Sequence, residues 1–107
     1  MAIKLRVKRP DPILRQIANA LGEYDKTHSQ AQIETYRQNS VSVRIRVLNP
    51  EFAGRSRTQR EEEIWALLNK LPEETLAEIS LLLLLTPVEA KNSFANSEFD
   101  DPIPSRI

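Results

Sequence analysis

Cysteine is absent from these 107 residues, glycine occurs only at Gly22 and Gly54, and His28 is the single histidine. Without thiols there are no disulfides and no thiolate chemistry for metals or redox work. Two isolated glycines build neither a P-loop nor a G-x-G-x-x-G turn. No serine stands in a G-x-S-x-G context, and one histidine in a linker assembles neither a triad nor a metal cluster. Long apolar runs are missing too: Ile79–Leu85 is the longest, against about 20 residues for a membrane helix. The opening MAIKLRVKRP lacks the greasy core of a signal peptide. These absences predict a cytoplasmic protein with no membrane partner, no cofactor and no catalysis.

What is present suits one small folded domain, with 40% hydrophobic and 28% charged residues. The net charge is zero but unevenly spread: residues 1–60 hold 12 Lys and Arg against 5 Asp and Glu, and residues 61–107 hold 3 against 10. Either the basic half holds an anionic partner, or the two halves neutralise each other within the fold.

Alternation is strongest from Val41 to Leu48, where Val41, Val43, Ile45 and Val47 interleave with Ser42, Arg44 and Arg46. That period of two predicts a strand with one apolar and one cationic face. Residues 31–38 predict its hairpin partner, joined at Asn39 and Ser40. Ile3, Leu5 and Val7 alternate with Lys4, Arg6 and Lys8, so residues 1–10 form an arm or an added edge strand. Asp11-Pro12 is a helix start, the carboxylate accepting first-turn amides and the proline losing no bond there. Ile13, Leu14, Ile17, Ala18, Leu21 and Tyr24 mark that helix's buried side, and a linker holding His28 follows.

A second helix carries Ile64, Leu67, Leu68 and Leu71 on one stripe. Thr58 and Glu61 are placed to cap it, with Glu61, Glu62 and Glu63 at the positive end of its dipole. Pro72-Glu73-Glu74 opens a short third helix. Ile79–Leu85 is predicted as a central strand buried on both faces, Thr86-Pro87 ends it, and a short helix near 88–92 follows. From residue 93 two prolines and three acids without period predict a mobile tail. The sum is an α+β domain over 11–92, flanked by an arm at 1–10 and a tail at 93–107. Its three- to four-stranded mixed sheet carries helices on one face, in the order (β)αββααβ.

The candidate working surface is the cationic bend before the second helix: Phe52, Gly54, Arg55, Arg57 and Arg60, with Arg44 and Arg46 on the open face of the sheet. Guanidiniums leading into a helix amino end favour an anion by charge and dipole. The alternative is that they pair with Glu51 and with Glu61, Glu62 and Glu63.

The spacing Phe52-x-Gly54-x4-Gln59-Arg60 follows an alternating strand and precedes a striped helix, a short helix, a strand and Thr86-Pro87. Over about residues 12–90 this resembles the BolA-like proteins, whose topology is related to type II KH domains. The resemblance implies a small regulatory adaptor that pairs with a monothiol glutaredoxin around an iron-sulfur cluster and, in some members, binds DNA; the alternatives are a KH-like protein that binds DNA or RNA and a structural subunit of a larger cytoplasmic assembly. The family's histidine positions hold Glu61 and, near the last strand, Glu78 and Ile79. Carboxylates are poor ligands for such a cluster.

Overall fold

The structure, a computed structural model, describes the backbone of residues 3–6 and residues 11–100, with Ile3 as the one side chain described in the first segment. The elements run β1 (Ile3–Arg6), α1 (Pro12–Thr27), β2 (Gln32–Asn39), β3 (Ser42–Leu48), a 3₁₀ turn (Pro50–Phe52), α2 (Arg57–Leu68), α3 (Glu73–Glu78), β4 (Ile79–Leu85), α4 (Pro87–Ala90) and α5 (Phe94–Asp100). The α+β class and the order (β)αββααβ are observed through β4. The sheet is four-stranded and mixed, in the spatial order β1-β2-β3-β4, with only the β2–β3 hairpin antiparallel.

Local chemistry explains the helix starts. Asp11 accepts the amides of Ile13 and Leu14 at 3.0 and 3.3 Å ahead of Pro12, and α1 then buries Leu14, Ile17, Leu21 and Tyr24. At α2 the cap is Ser56 with Gln59, two residues before the expected Thr58–Glu61 pair. Ser56 is extended, with φ −69° and ψ 163°, and its hydroxyl and the Gln59 amide side chain satisfy each other's main chain. The acidic triplet therefore starts in the second turn, away from the dipole end. Thr86 and Glu89 form a second capping box at α4.

The core lies between the apolar side of the sheet and α1 and α2. Val43, Ile45 and Val47 of β3 are fully buried there with Ile33, Phe52, Ile64 and Leu68. Burial of each such side chain contributes about 1.5–3 kcal/mol. Trp65 packs at the margin of this cluster. The hairpin turns at Ser40-Val41, one residue later than expected, where Asn39 Oδ1 accepts the Val41 amide at 2.9 Å.

Two expectations are corrected. β4 is not central: it lies at the sheet margin beside β3, with most of its leucines half-buried. Its uniform leucines carry no alternation by which the two positions could be told apart. Residues 94–100 are not a mobile tail either, since they form α5 with Phe99 fully buried. Helices consequently cover both faces of the sheet. The side chains of Lys4, Arg6 and Lys8, and the segment 101–107, lie outside the described residues.

Candidate functional site

Arg60 is a structural clamp. From α2 its guanidinium donates to the Phe52 carbonyl at 2.9 Å, to the Leu84 carbonyl at 3.0 Å, and to both Glu89 oxygens at 2.7 and 3.1 Å. It also lies over the Phe52 ring, 5.4 Å from the centroid. One side chain thus ties the 3₁₀ turn, the end of β4 and the start of α4 together. The fork geometry suits arginine and not lysine. Its hydrogen bonds draw the Glu89 carboxyl down from 4.5 to about 2. Phe52 is core, and Gly54 supplies the left-handed turn at φ +81°. Three of the four motif positions, Phe52, Gly54 and Arg60, build the bend.

Arg55 and Arg57 are what the bend shows to solvent. Arg57 is 89% exposed and reaches Glu61 at 3.3 Å; Arg55 is 41% exposed and pairs with Glu63. Glu63 is also 3.4 Å from His28 Nε2, whose ring stacks on Tyr24 at 3.9 Å and whose Nδ1 lies 3.0 Å from the Tyr24 carbonyl. His28 therefore closes the end of α1 against α2. Burial pushes the Tyr24 hydroxyl up to about 12, partly offset by the amide hydrogen bond from Asn49.

Arg44 and Arg46 do not form an open face. Their side chains are 13% and 11% exposed, because α5 lies on them. Arg44 pairs with Glu98 and donates to Gln38 at 2.7 Å; Arg46 donates to Asp100 at 2.7 Å, Asn96 at 2.8 Å and Glu34 at 3.0 Å. Phe99 packs edge-on to Tyr36 at 4.8 Å and lies 4.6 Å beneath the Arg46 guanidinium. Glu98 and Asp100, two of the three acids expected in a tail, are partners of this cationic face. On the hairpin, Arg37 binds Asp11 and Glu78, each at 2.7 Å, and its hydrogen bonds hold the Asp11 carboxyl below its usual range.

Six arginines (Arg37, Arg44, Arg46, Arg55, Arg57 and Arg60) thus pair with carboxylates of the acidic half. Of the two outcomes for the uneven charge, internal neutralisation is the one these residues adopt. Compared with protein-family models, curated proteins and solved structures, the chain matches none.

A feature the sequence reasoning missed lies along the outer side of β4, where a groove of about 250 Å³ is lined by Arg57, Glu61, Ala95 and Leu82 to Leu85. No strand pairs with this side among the described residues. The Leu85 carbonyl accepts the Asn49 amide and so points inward towards the end of β3. By alternation the main chain of Leu82 and Leu84 points outward, and Arg60 occupies the Leu84 carbonyl. The outward groups of Leu82 face the groove. Seven residues without charge or proline were the available signal for an unblunted edge, hidden by their assignment to the sheet centre.

Proposed function

We propose that this chain is a non-catalytic, BolA-like protein-binding adaptor that takes an extended segment of its partner against the outer edge of β4. The carrying observation is that edge. Sheet margins are ordinarily blunted by lysine, proline or a bulge, whereas ISLLLLL carries no lysine or proline, and its one register shift, between Ile79 and Leu81, precedes the stretch Leu82–Leu85. An added strand would bond its main chain to Leu82 and set apolar side chains against the leucines, with Arg57 and Glu61 flanking it. The Phe52, Gly54 and Arg60 geometry supports the resemblance as a reason for that bend's shape. Monothiol glutaredoxin is the partner the resemblance names, and Glu61, Glu78 and Ile79 make cluster ligation no part of the proposal.

Amide exchange with an iron-free monothiol glutaredoxin as probe tests this. Slower exchange at Leu82 and Leu84 in the complex is expected, together with at least about tenfold weaker binding by Leu83→Lys, which places a charge on the edge. A complex that leaves those amides unchanged excludes the edge. No complex at all removes the glutaredoxin reading.

Nucleic acid is the second reading, favoured by one observation: Arg55 and Arg57 are exposed beside the amino end of α2. Both already hold carboxylates, so it has the smaller support. It requires oligonucleotide affinity at low salt, falling with a slope of about −0.7 to −0.9 per neutralised phosphate. Absence of that affinity eliminates it.

A further inference from the structure

α5 meets the sheet as a ligand meets a site. Its contacts follow a short order, Glu98 to Arg44, Phe99 into the ring and guanidinium pocket, Asp100 to Arg46. The receiving face keeps its own supports: Arg46 is also held by Glu34, and Arg44 by Gln38 and by the Tyr36 hydroxyl at 3.4 Å. Removing α5 would leave both guanidiniums oriented by β2. A preorganised site of this kind loses little ordering entropy when a ligand arrives.

The cover itself is slight. α5 has seven residues, well below the roughly 12–15 at which an isolated helix holds together in water. Only Phe99 is buried, while Phe94 at its start is 80% exposed. Beneath that end a cleft of about 360 Å³ runs between Phe94, Ala95 and Glu98 on one side and Gln38, Ser42 and Leu81 on the other. Half-buried ion pairs add specificity and little net stability compared with apolar packing. A permanent lid would need none of them.

We propose that the Tyr36–Arg44–Arg46 face is a second docking surface, for a short acidic helix of a partner protein that carries a phenylalanine between two carboxylates, and that α5 is its resident, displaceable occupant. Its ligand chemistry differs from that of the β4 edge, although Ala95 of α5 lines both the groove and this cleft. Displacement in trans competes with the high effective concentration of a tethered segment, on the order of millimolar for short linkers. Partner binding is therefore weak until α5 is loosened.

The test uses a fluorescent peptide with the sequence of residues 93–100, SFANSEFD, titrated into full-length chains and followed by anisotropy. Phe99→Ala should bind it at least about tenfold more tightly than the unaltered chain. Adding Arg44→Gln and Arg46→Gln to Phe99→Ala should abolish that binding, as should replacing by alanine the peptide phenylalanine that corresponds to Phe99. Circular dichroism and Trp65 emission establish that Phe99→Ala is folded; if it is not, Glu98→Gln with Asp100→Asn takes its place. A folded, loosened chain that ignores the peptide overturns the proposal, and so does binding indifferent to Arg44 and Arg46. Global unfolding of both loosened variants also overturns it, because α5 would then be an indispensable part of the core.

Discussion

The two faces of β3 differ more than any other pair of regions in the molecule, although they come from alternate residues of one strand. Val43, Ile45 and Val47 meet α1 and α2 through shape and apolar area alone, and are fully buried. Arg44 and Arg46, one residue along, meet α5 through carboxylates, the Asn96 side-chain amide and a single ring. The first face places the greater part of the stabilising area where water is excluded. The second keeps its cover by pairing charges that remain partly accessible. The contrast teaches that one sheet can be permanently closed on one side and reversibly closed on the other.

The largest effect that would test this difference is on the apolar face. Ile45→Ala should cost about 3–4 kcal/mol through lost transfer energy and a residual cavity, read as a shift in the urea midpoint by Trp65 emission. A loss below about 1 kcal/mol would mean that the site collapses freely and that the core is not where the stability lies. Arg60→Ala comes next, at about 3 kcal/mol, because it leaves the buried Phe52 and Leu84 carbonyls without their donor. Arg60→Lys should recover only a small part, since an ammonium cannot reproduce the fork. Phe99→Ala should cost about 2 kcal/mol, below the usual value for a core phenylalanine, because α5 can leave as a unit. Hydrogen exchange sharpens that comparison: amides of α5 should lose protection while those of α1 and β3 keep theirs.

A smaller effect depends on pH. Glu89 has a folded value near 2 against an ordinary 4.5, chiefly through the hydrogen bonds from Arg60. A depressed carboxylate value adds stability that is fully present above pH 4.5 and is lost as pH falls towards 2. Glu89→Gln should flatten the acid limb of the stability profile in that window. An acid limb unchanged by this substitution would remove the clamp's electrostatic part. Because the Glu89 side chain is 45% exposed, solvent screens the effect and it should stay below that of Phe99→Ala. Least of all, Arg57→Ala should alter stability by no more than about 0.5 kcal/mol, as an exposed i,i+4 pair does.

Local signals carried a good part of the architecture. Asp11-Pro12 marks its helix start because a cap needs only groups three residues apart. The alternation of β3 marks its two faces, because a strand's period belongs to its own backbone. The spacing from Phe52 to Arg60 pointed to the bend. It did not show that Arg60 faces inward, since its acceptors at Leu84 and Glu89 lie 24 and 29 residues away. The choice of Ser56 over Thr58 as cap was equally hidden, both being good caps with a suitable residue three positions on.

By itself, the sequence determined the elements that depend on period and capping: α1, β2, β3, α2, α3, the strand character of β4, and the uneven charge that demanded partners of opposite sign. Tertiary structure alone decided who those partners were. Glu98 meets Arg44 across 54 residues, and segment 94–100, aperiodic and acidic, becomes a helix only because a cationic, aromatic face awaits it. It also placed β4 at the margin, because seven apolar residues satisfy a central or an outer position alike until the neighbouring strands are counted. Short-range geometry is written in adjacent residues, whereas charge complementarity and strand order come into being only when distant segments meet.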